Sequence, residues 1–266
     1  MSFHTICHGT LEYCTADSIG VPHGFTTRFG GVSEGYLSSL NLGANRGDDM
    51  ENIKKNYAIL GNAIGFDPKD LVLTRQTHSD IVRVVTKEDA NGLDHRDYPE
   101  CDALVTNTPG TGLVVFTADC TPILFHDPVT GAVGAAHAGW RGTAAGIAAK
   151  TVQAMVDHFG CKPENIHAAI GPNIAQCCFE TDQDVPDAIL NALGETAKTY
   201  ITQKGNKYYV NLKEVNALFL RQAGVKHMDI STDCTACQSD RFWSHRVTGG
   251  KRGSQGAIIL CKEVSL

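Results

Sequence analysis

Hydrophobic positions in this chain follow a helical period in some segments and a strand-like pattern in others. Residues 51–65 predict a helix, because a glycine follows apolar side chains that share one face: Ile53, Tyr57, Leu60 and Ile64. An alanine-rich segment predicts a second helix from a cap at Thr143 to about Phe159, before Gly160. Asn211 is the predicted cap of a third helix, which continues to about Gln222.

Short β-rich runs separate the predicted helices. They occupy residues 71–75, 81–85, 112–118, 122–126 and 257–261, and the turn at 127–131 predicts a hairpin into 132–136. Strands and helices do not alternate strictly, so an α+β domain with mixed sheets is favoured over a doubly wound parallel sheet. Neither a linker nor an internal repeat divides the sequence, which predicts one domain over residues 1–266.

Composition and charge exclude several classes of function. The net charge of the 266 residues is −6 and basic residues form no long run, which argues against nucleic acid as a partner. No stretch approaches the roughly 18 apolar residues that span a bilayer, so no membrane association is expected. The first residues lack the pattern of a secretion signal. We therefore expect a cytoplasmic protein whose ten cysteines are reduced thiols or metal ligands.

The candidate chemistry lies at the ends of the predicted strands. Cys120 and His137 flank the predicted hairpin, and His78 follows an earlier strand. One thiolate and two imidazoles can form a three-ligand metal site with an open position, which is typical of catalytic zinc. Their separations match no zinc-finger spacing. Taken alone, Cys120 is typical of a small buried thiol, and each histidine is typical of a surface or hydrogen-bonded core residue.

Charged residues near this segment suggest further roles. Asp119 is a candidate for orienting an imidazole or a substrate hydroxyl, although a turn carboxylate at a strand end fits equally. Four arginines lie in glycine-rich or polar loops and could form an anion site, while each alone is typical of a solvated surface: Arg28, Arg46, Arg75 and Arg141.

Two other cysteine pairs give weaker signals. Cys234 and Cys237 form a single CxxC without a second such pair, and we interpret it as structural or incidental. Cys177 and Cys178 could lie near the candidate site, but a buried role is the favoured interpretation. The sequence has no Walker loop and no GxGxxG, so a bound phosphate would be held by side chains and loop amides.

Several segments occur in an order that resembles the YfiH-like family, whose members are described as laccase-domain or polyphenol oxidase proteins. The segments are FTTRFGGVS, SLNLG, RQTHSD, DALVT, TADCTPILF, AAHAGWRG, IGPNI and FWSHR followed by RGSQGAII. They span nearly the whole chain. The resemblance implies mixed sheets layered between helices, similar to the cysteine-hydrolase fold of a bacterial deamidating toxin.

The resemblance also implies a function. Family members are zinc-dependent enzymes that cleave adenosine, guanosine, inosine or methylthioadenosine with inorganic phosphate and deaminate adenosine. The metal ligands it implies are His78, Cys120 and His137. Copper is disfavoured, because a multicopper site needs histidines in HxH pairs and this chain has none. Many members carry an arginine where this chain has Tyr57, so its anion site is expected to differ and to depend more on Arg46.

The implied reactions assign roles to other residues. Asp119 or Asp80 would move the proton in deamination, since no glutamate stands in the His-x-Glu pattern of other zinc deaminases. Phosphate would bind Arg28, Arg46 or Arg141, and Asn41 would bind ribose or base unless it only forms a turn.

One alternative is a thiol hydrolase acting on amides of cell-wall precursors or proteins, with Cys120 as nucleophile and His137 as base. A non-enzymatic binding module is another. The sequence does not indicate the oligomeric state.

Overall fold

The computed structural model describes residues 2–90, 92–93 and 99–262. The strands are β1 Phe3–His8, β2 Leu11–Ala16, β3 His23–Thr26, β4 Leu71–Leu73, β5 Val82–Val84, β6 Ala103–Thr106, β7 Gly112–Thr117, β8 Thr121–His126, β9 Val133–Ala138, β10 His167–Ile170, β11 Glu180–Thr181, β12 Ile201–Lys204, β13 Lys207–Val210, β14 His227–Ile230 and β15 Gln255–Leu260. The helices are α1 Met50–Ile64, α2 Trp140–Ala144, α3 Ile147–Phe159, α4 Asp184–Leu193, α5 Leu212–Gln222 and α6 His245–Thr248.

Two six-stranded mixed sheets form the centre of the fold. The first has the order β1-β2-β3-β15-β7-β4, and only its β7–β4 pair is parallel. The second has the order β14-β10-β8-β9-β6-β5, with parallel pairs at its two edges. A small antiparallel sheet, β11-β13-β12, lies beside them. The predicted mixed-sheet fold and the hairpin between β8 and β9 are confirmed.

The alternation of side chains along each strand produces the layers. In β7, Leu113 and Val115 pack against Leu124 of the second sheet, whereas Val114 faces the opposite way and packs with Tyr57 of α1. The outer face of the second sheet packs Phe125 against α3 and α5. The central strands of both sheets are therefore buried on two faces, which explains why they have few polar positions, whereas the edge strand β1 is mostly exposed.

The predicted helices agree with the structure except at one start. The helix predicted at 51–65 is α1, which ends at Gly65 in the left-handed conformation, and Asn211 caps α5 through its side chain. The predicted cap at Thr143 is wrong. Thr143 is buried inside the short α2. The helix is interrupted at Gly146, whose φ of 77° separates α2 from α3.

Two connections cross from the first sheet to the second and carry the candidate site. One joins β4 to β5 and contains His78, and the other is the tight turn between β7 and β8 that contains Cys120. His137 lies on β9, opposite Pro122 of β8. Within the described ranges, no helix has both the length and the apolar composition needed to cross a membrane.

Candidate active site

Three predicted metal ligands converge at the crossing between the sheets. The donor atoms of His78, Cys120 and His137 all lie within 4.8 Å of one another, and Sγ of Cys120 is 3.8 Å from Nε2 of His78. Tetrahedral zinc with ordinary Zn–S and Zn–N bonds would place sulfur and nitrogen about 3.6 Å apart. His137 is buried, Cys120 is half-buried and His78 is exposed, so the group is reachable from solvent. These side chains therefore form a possible metal-binding site.

Asp102 organises both histidines and was not singled out from the sequence. Its fully buried carboxylate lies 2.7 Å from Nδ1 of His137 and accepts backbone N–H groups from Thr77, His78 and Ser79. The Ser79 hydroxyl donates a further hydrogen bond of 2.7 Å. Burial would raise the pKa of Asp102, but the bonds from His137 and Ser79 outweigh it and lower the pKa to about 2. The carboxylate therefore leaves Nε2 of His137 free to face the sulfur.

Unusual backbone conformations place the ligands. His78 and Asp119 both have positive φ, at 61° and 85°, a region that residues other than glycine seldom adopt. Gly139 provides the space for the imidazole of His78, since a Cβ at this position would lie 2.5 Å from Cδ2 of His78. Local strain of this kind concentrates at functional sites.

The Cys120 thiol and the His137 imidazole favour each other's charged forms. Burial raises the pKa of Cys120, but the neighbouring His137 and His78 outweigh burial and lower the pKa to about 6. Burial lowers the pKa of His137, but Cys120 and Asp102 outweigh it and raise the pKa to about 9. The sulfur is therefore available as a thiolate near neutral pH, which is the form that binds metals and attacks electrophiles.

Asp119 anchors the turn that presents Cys120. Its carboxylate accepts hydrogen bonds from Thr235 (2.6 Å), Ser244 (3.1 Å) and the backbone N–H of Arg246 (2.7 Å). None of its described hydrogen bonds involves an imidazole. These contacts fit a positioning role better than proton transfer.

Two arginines form a cationic group near the candidate metal ligands. Arg46 and Arg252 both reach the hydroxyl of Ser254, at 3.4 and 3.0 Å. Burial and the charge of Arg46 lower the pKa of Arg252 to about 10, whereas Cys120 and Asp119 favour its charged form. Among the described residues, the buried Nε of Arg252 has no hydrogen-bond partner. Arg252 was missed by the sequence analysis, although it directly precedes the GSQGAII segment.

The other predicted binding residues have different surroundings. Arg28 stacks on Trp243 and donates to the carbonyls of Ser38 and Ser239, while the exposed Arg141 stacks on Trp140. Neither has a described contact with Arg46 or Arg252.

Asn41 is buried beneath the Arg46 loop. It accepts the N–H groups of Gly43 and Ser254 and donates to Asp48. Three further residues have partners of their own: Arg75 pairs with Glu100, Asp80 pairs with Lys150, and the buried Tyr57 hydroxyl donates to the carbonyl of Leu42.

A cavity of about 260 Å³ lies beside Arg46. Its polar lining includes Arg46, Arg75 and Ser254, and Gln76, two residues before His78, also lines it. Its apolar lining includes Leu42, Leu73, Leu93 and Phe116. Cavities that combine apolar walls with a few polar groups are typical of small-molecule sites.

A second group of cysteines extends one sequence interpretation and contradicts another. The CxxC pair Cys234 and Cys237 is not isolated, because Cys177 and Cys178 bring two further sulfur atoms to it. Cys177 is exposed and Cys178 is half-buried, so the predicted burial of this pair is wrong.

Comparison with known proteins identifies the family of this chain. Residues 22–262 match the family described as multi-copper polyphenol oxidoreductase laccase. A purine nucleoside phosphorylase from Deinococcus radiodurans is 40% identical over 253 residues, which cover 94% of this chain and 92% of the relative. The chain belongs to the YfiH-like, laccase-domain family. A second YfiH-like relative, the purine nucleoside phosphorylase YlmD of Geobacillus stearothermophilus, is 38% identical and covers 98% of this chain and 97% of its own.

The YfiH-like fold is also known from solved structures. The structure of the Bacillus licheniformis protein YfiH superposes with a TM-score of 0.91 at 35% identity, covering 98% of this chain and 99% of the other. The structure of Geobacillus stearothermophilus YlmD gives the same TM-score and identity, with 97% of this chain covered. The single-domain mixed α/β fold described above is therefore that of the YfiH-like family.

Proposed function

We propose that this protein is a zinc-dependent purine nucleoside phosphorylase that also deaminates adenosine. The observation that carries the proposal is the convergence of His78, Cys120 and His137 within 4.8 Å. The substrates would be inorganic phosphate and adenosine, guanosine, inosine or methylthioadenosine. The phosphorylase names of relatives that cover nearly the whole chain support this assignment.

The donor set favours zinc over copper. One thiolate and two imidazoles, with Asp102 bonded to the second nitrogen of His137, match the ligands and carboxylate partner of catalytic zinc. The described residues contain no cluster of several histidines such as a multicopper oxidase would require. When bound, zinc supplies Lewis acidity, which draws electron density from a coordinated atom of water or substrate.

Arg46 and Arg252 are assigned to phosphate. Phosphorolysis requires an oxygen of phosphate to bond to C1′ of the ribose while the bond from C1′ to N9 breaks and its electron pair leaves with the purine. Two half-buried guanidinium groups would hold the phosphate dianion, whose negative charge would offset their mutual repulsion. The unpartnered Nε of Arg252 gives the anion an additional donor. Arg28 and Arg141 remain predictions for this role.

The nucleoside is assigned to the cavity beside Arg46. Phe116 and the leucines of its wall would contact the flat purine, while Gln76 is held by two hydrogen bonds to the backbone of Phe116, at 2.6 and 2.7 Å. Ser254 and the Arg46 loop, supported from beneath by Asn41, would meet the ribose and phosphate. In this arrangement Asn41 positions the loop from beneath.

Adenosine deamination would use the same ligands. Water must add to C6 of the purine, and a proton must reach the departing ammonia. The hydrogen bonds of Asp119 and the ion pair of Asp80 with Lys150 leave neither carboxylate as a free base. The half-buried Cys120 and exposed His78 lie where a proton can exchange with solvent.

A phosphate-dependence assay tests this function. Purified protein should release hypoxanthine from inosine only when phosphate is added, and should release ribose 1-phosphate in equal amount. His78→Ala and Cys120→Ala should abolish release and remove zinc from this site, whereas the exposed Cys7→Ser should change neither. Hypoxanthine release at the same rate without phosphate, or full activity in the ligand variants, would contradict the proposal.

A thiol hydrolase is the second candidate, because Cys120, His137 and Asp102 form a chain of nucleophile, base and orienting carboxylate. A thiolate that holds zinc is shielded from alkylation. Iodoacetamide should therefore modify Cys120 slowly in the protein as isolated and quickly after chelation. Fast alkylation before chelation, with amide hydrolysis and no phosphorolysis, would favour the hydrolase.

A further inference from the structure

Four cysteines outside the candidate active site meet at one point. Cys177 and Cys178 lie on the irregular connection between β10 and β11, and Cys234 and Cys237 lie on the connection between β14 and α6. Their sulfur atoms all lie within 4.8 Å of one another. The proposed phosphorylase mechanism uses none of them.

Four of the distances between the sulfur atoms are close to those of a tetrahedral metal site. Sγ of Cys177 lies 3.7, 3.8 and 3.6 Å from the sulfurs of Cys178, Cys234 and Cys237, and Cys178 lies 3.3 Å from Cys237. Four thiolates around one zinc ion with Zn–S bonds of about 2.3 Å would be about 3.8 Å apart. A disulfide would require about 2.05 Å.

The surroundings of Cys234 resemble those of a bound thiolate. The backbone N–H of Ala175, on the opposite connection, donates to Sγ of Cys234 at 3.3 Å. The ammonium of Lys213 is buried and donates to the carbonyls of Ser231 and Asp233, directly before Cys234. A buried cation needs negative charge nearby, which four thiolates around a divalent ion would provide.

We propose that Cys177, Cys178, Cys234 and Cys237 bind one zinc ion as a tetrathiolate site. All four positions around the metal are filled by protein, so the site is structural. Four soft thiolates in tetrahedral array select zinc over the hard cations. This inference does not depend on the proposed function.

The site would fix the turn that carries Cys120. Thr235, inside the CxxC pair, donates its hydroxyl to Asp119 and its N–H to the carbonyl of Asn173 on the other connection. Ile174 donates its N–H to the carbonyl of Asp119. A metal that joins the two connections would therefore hold in place the residues that bond Asp119, which are Ile174 on one connection and Thr235 on the other.

Metal counting on variants tests the site. Protein produced with zinc and iron available should contain two zinc ions per chain by elemental mass spectrometry. The double variant His78→Ala, His137→Ala should keep one, and adding Cys177→Ser and Cys237→Ser to it should leave none. Cys7→Ser, at an exposed cysteine on β1, is the matched control and should keep two.

The same experiment separates the two sites. If the wild-type protein holds one zinc ion that is lost with Cys177→Ser and Cys237→Ser but retained without the two histidines, this inference stands and the proposed active-site metal fails. A zinc content that the cysteine variants leave unchanged would overturn the inference. Iron in place of zinc, or a disulfide among these cysteines found by mass spectrometry without reduction, would also overturn it.

Cobalt replacement provides a readout that does not require the cysteine variants to fold. Cobalt(II) bound by His78→Ala, His137→Ala protein should show the strong thiolate charge-transfer absorption of a tetrahedral four-sulfur site. Chelation should abolish this absorption and lower Tm by about 5 °C or more, because metal binding contributes directly to folding. Absence of the absorption in folded protein would contradict the inference.

Discussion

Asp102 lies 2.7 Å from Nδ1 of His137 and at the same time binds the backbone of the loop that presents His78. One buried carboxylate thus sets the ring orientation of one metal-ligand candidate and the position of another. Removing its charge without changing its shape should affect metal binding more than folding, because the backbone N–H groups of Thr77 and Ser79, which bond Oδ2, still find an acceptor oxygen.

Asp102→Asn should weaken zinc binding at His78, Cys120 and His137 by about 10–100-fold. An amide can donate to Nδ1 of His137 and so favour the tautomer that places a proton on Nε2. Competition with a chromophoric chelator measures the affinity. Asp157→Asn, at an exposed carboxylate of α3, is the control and should not change it. Unaltered zinc affinity in Asp102→Asn would show that Asp102 does not support metal binding.

Arg252→Lys should raise the KM for phosphate by about tenfold or more while changing the KM for inosine much less. Lysine keeps the charge but loses the planar fork and the Nε donor that has no described partner. Steady-state kinetics with varied phosphate measure the effect. Arg221→Lys, in an exposed pair with Glu214, should leave both constants unchanged. An equal rise in both would instead indicate a general disturbance of the site.

Gly139→Ala should weaken metal binding with little loss of stability. The new Cβ would lie 2.5 Å from Cδ2 of His78 and would displace its ring, while the backbone of Gly139 suits any residue. The contrast is Gly134→Ala on β9, where the Cβ would crowd Thr151 and Val105 at 3.3 Å. That variant should lower the free energy of unfolding and keep the metal. Competition with a chelator measures the metal affinity of each variant, and urea unfolding measures its free energy of unfolding.

His126 should make the protein less stable in mild acid. Burial lowers the pKa of His126 to about 4, from an unfolded value near 6.5. A group with a lowered pKa contributes its stability fully above pH 6.5, and this contribution is lost as the pH falls towards 4. Between pH 7 and 4.5, wild type should lose about 2 kcal/mol more than His126→Asn in urea unfolding. Equal losses in the two proteins would show that His126 does not titrate in this range.

The sequence predicted the candidate metal ligands better than their surroundings. His78, Cys120 and His137 were found because each lies at the end of a run of apolar residues, and strand ends are where side chains from distant segments meet. Asp102 was missed, since a single carboxylate before a short strand has no period or spacing. The signal that could have found it is an acidic residue directly before four buried positions, Ala103–Thr106.

Contacts between distant segments account for the other differences. Arg252 and Arg46 are far apart in the chain and both bond the hydroxyl of Ser254. The CxxC pair seemed isolated because its partners lie on another connection, which the β10–β14 pairing brings alongside. The missed break at Gly146 has a local cause, since helical periodicity continues across a glycine whose left-handed backbone cannot be read from the pattern.

The most direct test of the account is a crystal structure with anomalous data collected on both sides of the zinc absorption edge. We expect a zinc peak within about 2.0–2.3 Å of Sγ of Cys120, Nε2 of His78 and Nε2 of His137. A map without a peak among these three side chains, from protein that is active with inosine and phosphate, would contradict it.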